Sequence, residues 1–335
     1  MVLRSRERGR VGHRRLLQSE RPHPPRVRAF VVFAICIEYL SPMTRAGIVT
    51  VAGKPNAGKS TLLNRIVGQK LSIVSPKPQS TRDRIVGIRT DDDVQMILLD
   101  TPGLLDPAYP LQRAMRAASL DALSEADVIV YVVDANEHEP PPLERAAGLN
   151  EPLKSPVLLA LNKIDSVSPG RRIQLSTEFP EARPISALTG DGVDELLARI
   201  AQALPESPFL YPADEISTQA VRFFVGELIR ETALEQLEDE VPYSIACEVE
   251  EFREERSPIY IRAVIYVERE SQKRILIGAR GERVREIGRA SRAKIEELVG
   301  SGVYLDLWVK VLTNWRKNAD ALRRFGYRLP KEHAQ

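Results

Sequence analysis

Gly53-Lys54-Pro55-Asn56-Ala57-Gly58-Lys59-Ser60 fits the pattern G-x-x-x-x-G-K-[ST]. An apolar run, Ile48 to Ala52, leads into it, and Ser60 to Val67, with Thr61 next to the loop, reads as the helix that follows. The glycines let the backbone curl so that successive N–H groups point inward, where phosphate oxygens can accept from them. The new helix adds the positive end of its dipole. Lys59 then reaches the β- and γ-phosphates of a nucleoside triphosphate, and the Ser60 hydroxyl holds Mg²⁺. The strand before and the helix after are the context that separates this loop from a chance glycine-rich turn.

Later strand ends carry residues that belong with such a loop. Val94 to Leu99 reads as a strand closed by Asp100-Thr101-Pro102-Gly103. An Asp at that tip can hold Mg²⁺ through a water, and the Gly103 N–H can contact the γ-phosphate and sense its loss. Val128 to Val133 is a second strand, ending at Asp134. Val157 to Leu161 is a third and runs into Asn162-Lys163-Ile164-Asp165. The Asp165 carboxylate can accept from N1–H and the 2-amino group of guanine together, a pair of donors that adenine lacks. The Lys163 stem can lie over the base. Pro184-Ile185 leads to Ser186-Ala187-Leu188, whose backbone would contact guanine O6. GTP and GDP are therefore the expected ligands. The alternation predicts an α/β domain with a mostly parallel sheet and helices on both faces. Ligands in such sheets lie beyond the carboxyl ends of the strands, where these motifs fall.

The chain has 335 residues, room for two domains. Its net charge of +2 is nearly balanced, so any affinity for nucleic acid must come from a local patch. Two cysteines, Cys36 and Cys247, make no disulfide framework and no zinc-ligand cluster. Residues 1–42 differ from the rest: nine Arg and three Glu accompany an apolar run from Ala29 to Ile37. That run is too short to span a bilayer. A disordered or non-native extension is expected there, as from an upstream start codon, with a membrane-touching arm as the second reading. Met43 would begin the compact protein, and residues 43–204 the nucleotide domain.

Pro205-Glu206-Ser207-Pro208-Phe209-Leu210-Tyr211-Pro212 reads as a stiff connector, over 205–216. The pattern then predicts a helix from Ser217 to Leu237 and strands at Ser244 to Val249 and Ile259 to Val267. Ile275-Leu276-Ile277-Gly278-Ala279-Arg280-Gly281 opens a helix running to about Val299, and Val303 to Leu312 is a last strand. G-x-x-G between two helices is the K-homology signature: glycines let a nucleic-acid backbone approach closely, and an apolar groove takes single-stranded bases. Lys273, Arg274, Arg280, Arg283, Arg285, Arg289, Arg292 and Lys294 cluster near it, partly offset by Glu282, Glu286, Glu296 and Glu297. The expected second unit is a smaller α+β K-homology domain of type II over 217–330, with a tail at 331–335.

Taken together, Gly53 to Ser60, Gln79-Ser80-Thr81-Arg82, Asp100 to Gly103, Asn162 to Asp165, Ser186 to Leu188 and the downstream G-x-x-G resemble the translation-factor-related GTPases, and within them the Era family. The resemblance runs from about Met43 to the end, including Leu307-Trp308-Val309-Lys310-Val311. It implies that Thr81 orders over Mg²⁺ and the γ-phosphate in the GTP state, beside Ser60 and Asp100, with Lys59 and Gly103 completing the catalytic set. Ser80 stands where relatives commonly have Thr. The resemblance also implies binding of the 3′ end of 16S ribosomal RNA and assistance to 30S subunit maturation. It implies a cytoplasmic monomer with some association with the inner membrane.

The residue after Gly103 is Leu104, where Ras-like enzymes place a water-orienting Gln, so another group or a partner must align the water. In similar GTPases an Asn at the place of Asn56 helps bind K⁺, which acts like an arginine finger; otherwise Asn56 shapes the loop. Arg82 and Arg84 are expected in solvent or against a partner. Two other functions stay open: an RNA-binding protein with a mainly structural nucleotide domain, and a tRNA-modification-type GTPase, for which a modification motif or second phosphate loop is missing.

Overall fold

The computed structural model describes residues 2–4, 44–137 and 140–330. In chain order its first part comprises β1 (Val2–Arg4), β2 (Arg45–Ala52), α1 (Lys59–Val67), β3 (Ile85–Thr90), β4 (Val94–Asp100), α2 (Pro110–Glu125), β5 (Val128–Asp134), α3 (Leu143–Ala147), β6 (Val157–Asn162), α4 (Pro169–Glu178), β7 (Arg183–Pro184) and α5 (Val193–Ala203). The rest comprises β8 (Glu215–Ala220), α6 (Val221–Gln236), α7 (Val241–Ser244), β9 (Ala246–Arg253), β10 (Ile259–Val267), α8 (Glu270–Ile277), α9 (Glu282–Val299), β11 (Val303–Val311) and α10 (Ala319–Arg324).

Six strands form one sheet in the order β3-β4-β2-β5-β6-β7. All neighbours pair in parallel except β3 with β4. Every residue of β4 is buried, as an inner strand covered on both faces requires. Because β2 is flanked by β4 and β5, the connections diverge at its carboxyl end and open a crevice there. The loop that begins at Gly53 occupies that crevice.

The second sheet has the order β11-β10-β9, with β10 parallel to β11 and antiparallel to β9. Ile261, Ala263, Ile265 and Val267 alternate onto its covered face and are buried in one cluster with α6 and α9 residues such as Phe224, Ile229, Ile287 and Ile295. This is the expected helix–strand–strand–helix–helix–strand order. A separate cluster joins Trp315 and Leu322, near the carboxyl end, to Leu111 and Met115 of α2.

Two expectations shift. The helix predicted from Ser217 starts at Val221, because Glu215–Ala220 runs extended beside β3. There Ser217 Oγ donates to Val86 O (2.6 Å) and the Val86 N–H donates to Gln219 Oε1 (2.9 Å). The strand predicted from Ser244 starts at Ala246, because Ser244 closes α7. The proline-rich connector is fastened: Gln95, fully buried, accepts from the N–H groups of Leu210 and Tyr211 and donates to Tyr211 O. The expectation for residues 1–42 falls outside the described residues except at β1, which pairs antiparallel with β8.

Candidate functional site

The loop leaves β2 at Gly53 and enters α1 at Lys59. At Gly58 the backbone is left-handed (φ +97°), and a Cβ would fall 2.1 Å from Asn162 Nδ2, so only glycine passes. No side chain caps α1, whose first N–H groups are left to a ligand. A cavity of about 350 Å³ faces them, bordered by Asn56, Lys59, Ser60, Thr81, Gly103 and Lys163, among others. Lys59 is buried, and its Nζ donates to Lys54 O at 2.9 Å. Burial lowers its ammonium to about 8, with Asp100 working in the opposite direction.

Three oxygen-bearing side chains meet beside Lys59. Ser60 Oγ donates to Asp100 Oδ2 at 2.6 Å, lies 3.0 Å from Thr81 Oγ1, and Thr81 Oγ1 lies 3.5 Å from the same carboxylate oxygen. Asp100 is fully buried, and its Oδ1 has no hydrogen-bond partner. Burial pushes its carboxyl above the usual range, and Lys59 opposes that. An orphaned carboxylate oxygen next to two hydroxyls is the donor set of a hard cation, so these residues fit Mg²⁺.

At the base end Asn162 is buried and acts as a clamp. Its Nδ2 donates to Ala57 O and its Oδ1 accepts from the Ala187 N–H, both at 2.8 Å. It thereby joins the phosphate loop to the 186–190 loop. Lys163 is left-handed (φ +68°) and its Nζ lies 2.7 Å from Asp134 Oδ2. Burial disfavours the Asp134 charge, yet Lys163 and Asn136 hold its carboxyl below the ordinary range. Asp165 follows in a single 3₁₀ turn and is exposed. Ser186, Ala187 and Leu188 come to the same end, where the Ser186 N–H donates to Asp191 O at 2.8 Å.

Leu104 and Arg82 are both packed into the fold, Arg82 against its sequence reading. Leu104 is buried, packs with Ala52, Leu123, Ile129 and Tyr131, and its N–H donates to Gly53 O at 3.1 Å. Arg82 is not in solvent: it is 4% exposed, and donates to Ile245 O (2.5 Å), Tyr243 O (3.0 Å) and Pro242 O (3.4 Å). It also lies 5.8 Å from the Trp315 ring centroid. Burial, then the Arg230 charge, lowers its pKa from the ordinary arginine value. Arg84 is half-buried and pairs with Glu125.

Sequence reasoning also missed the reverse contacts from α6. Buried Arg230 donates to Ser80 O at 2.6 Å. Burial opposes its charge, but Glu227 holds its pKa above the usual value. Buried Glu231 pairs with Lys70 (2.7 Å) and Lys294 (3.1 Å) and accepts from the Val74 N–H (3.4 Å). The segment carrying Thr81 is thus pinned to the second sheet's helices. No sequence signal marked these positions beyond charges inside an otherwise apolar helix pattern.

The G-x-x-G loop lies where expected, closing α8 at Gly278 and opening α9 after Gly281. Lys273 and Arg274 sit near the end of α8, and Ala279 and Arg280 are exposed at the tip. Arg283 Nη1 donates back to Ile275 O at 3.1 Å, and Ile277 is half-buried beside it. Not all of the basic cluster gathers there: Lys294 turns toward Glu231 and Glu235, and Arg292 pairs with Glu296.

Comparison with known proteins follows this layout. Residues 48–163 match the family described as 50S ribosome-binding GTPase, and residues 240–316 match the KH domain family. GTPase Era of Carboxydothermus hydrogenoformans is 43% identical over 291 residues, 84% of this chain and 98% of that protein. A crystal structure of an Aquifex aeolicus Era variant bound to GDP.AlF4⁻ superimposes with a TM-score of 0.79 at 39% identity, covering 85% of this chain and all of the other. A second Era structure, in complex with MgGDPNP and nucleotides 1506–1542 of 16S ribosomal RNA, gives the same TM-score, identity and coverage. A phosphate-loop domain followed by a K-homology domain, matched over nearly the whole length of these relatives, makes the chain a member of the Era GTPase family.

Proposed function

We propose that this protein is a GTP-hydrolysing switch that binds 16S ribosomal RNA near its 3′ end and assists 30S subunit assembly and rRNA processing. The observation that carries this is one chain holding both the Lys59–Ser60–Thr81–Asp100 cluster and the Gly278–Gly281 loop. A relative matched over its whole length holds MgGDPNP and 16S nucleotides together. GTP would lie along Gly53 to Thr61, with Asp165 and the 186–188 loop at the base. Ser60, Thr81 and Asp100 would hold Mg²⁺, which supplies charge neutralisation at the phosphates. Lys59 and the loop N–H groups stabilise the oxygens of the phosphoryl group in transfer. The reading places a monomer in the cytoplasm, partly at the cytoplasmic face of the inner membrane. Among the described residues no helix is long and apolar enough to cross a membrane.

Replacing Gly278 and Gly281 together by Asp tests the RNA half. Both glycines have positive φ, and a Cβ at Gly278 would meet the Arg283 Cβ at 2.8 Å. The added carboxylates also repel phosphate. Binding of a 16S 3′-end RNA should be lost while GTP affinity stays. Retained RNA binding would refute the assignment.

Potassium is part of the same proposal. Asn56 Nδ2 is committed to Pro76 O at 2.9 Å, which leaves its Oδ1 as a donor atom for a cation beside the phosphates. GTP turnover should be faster in K⁺ than in Na⁺, and the difference should vanish in Asn56→Asp. Equal rates in both salts for the native protein would remove the ion from the mechanism.

A further inference from the structure

Arg65 lies in the last turn of α1, the helix that Lys59 opens, yet its guanidinium reaches the opposite end of the site. Its Nε donates to Ala187 O at 3.2 Å and its Nη2 donates to Leu188 O. It lies against Gly190, where a Cβ would come within 3.5 Å of Nη1. The loop's other N–H groups are used internally. Ser186 donates to Asp191 O, Ala187 to Asn162 Oδ1, Thr189 to Ser186 Oγ and Gly190 to Ser186 O. Among the described residues, only the Leu188 N–H of this stretch has no protein acceptor.

That N–H and the Ala187 carbonyl belong to one rigid peptide plane and point in opposite directions. Fixing the carbonyl therefore fixes the line of the N–H. We propose that Arg65 is a positioning residue for base selection, holding the 187–188 peptide so that the Leu188 N–H meets guanine O6. The inference rests on the reading that the base lies between Lys163 and this loop. Adenine carries an amino donor where guanine has O6, so a fixed N–H there rejects adenine as well as binding guanine.

The test compares three triphosphates on the full chain: GTP, inosine triphosphate, and 2-aminopurine riboside triphosphate. Inosine keeps O6 and N1–H and lacks the 2-amino group; 2-aminopurine keeps the amino group and lacks O6 and, with it, the N1–H. Arg65→Ala should weaken GTP and inosine triphosphate alike, by roughly tenfold, the scale of one oriented hydrogen bond to a buried group. Its affinity for the 2-aminopurine nucleotide should stay within about twofold of the native value on the same argument, which also shows that the variant is folded. Arg65→Lys should recover part of the loss. An equal loss for all three nucleotides would make Arg65 merely structural and overturn the inference, as would no loss. A native protein that binds the 2-aminopurine nucleotide as tightly as GTP would overturn the base-site reading itself.

Discussion

At Leu104, where Ras-like enzymes place a water-orienting Gln, packing accounts for the residue. The side chain packs into the apolar layer with Tyr131 and Val133 and does not border the cavity at the phosphate loop. Its backbone N–H still serves the site by tying the Gly103 turn to Gly53. Leu104→Gln should therefore not install a water-orienting amide. It should bury an amide without partners, at a cost of about 1–3 kcal/mol. Urea unfolding should show that loss, and turnover at saturating GTP should not rise. A faster enzyme would mean that the side chain can swing into the site. The motifs that were legible in the sequence are those where geometry admits few residue types. Gly58 must pass Asn162, and Ser60 must stand within reach of Asp100.

At the scale of elements, legibility depended on periodicity and failed where a partner distant in sequence decided the conformation. The Ile259–Val267 strand is legible to the residue: Ile261, Ala263, Ile265 and Val267 alternate onto the face covered by α6 and α9, while Val264 and Tyr266 on the other face join the Trp315 cluster. Residues 215–220 carry no such alternation. They extend because Ser217 and Gln219 find β3, about 130 positions earlier. β3, the antiparallel edge strand of an otherwise parallel sheet, is not among the strands that the sequence pattern predicts. Helix α6 was read as one apolar face, which it has in Phe224, Val225 and Ile229. Arg230 and Glu231 are among the most buried charges of the described residues; Arg230 pairs with Glu227 and also donates to Ser80 O, 150 positions earlier, and Glu231 pairs with Lys294 and with Lys70, 161 positions earlier. A buried charge with a distant partner has the same local sequence as an exposed one, so no window-based reading can find it.

Across the whole molecule, the 70–84 segment is shared between the two halves. Thr81 faces Asp100 on one side, while its neighbours Ser80 and Arg82 are held by α6 and by the carbonyls at 242–245. Any shift of Thr81 with nucleotide state must therefore either break those bonds or carry the second domain with it. Arg82 is the stronger tie, since a cation donating to three carbonyls in a buried site cannot be replaced by water at low cost. Thermodynamic linkage then makes a quantitative demand. The factor by which GTP, relative to GDP, changes RNA affinity must equal the factor by which RNA changes GTP affinity relative to GDP. Arg82→Ala should shrink both factors toward one, and by the same amount, while leaving GTP affinity in the absence of RNA within about threefold of the native value, a modest allowance because the guanidinium touches no ligand residue. Titrations of RNA at fixed nucleotide, and of nucleotide at fixed RNA, measure the two factors independently. If both keep their native value in the variant, the coupling runs through Arg230, Glu231 or the α2–Trp315 cluster instead of through Arg82.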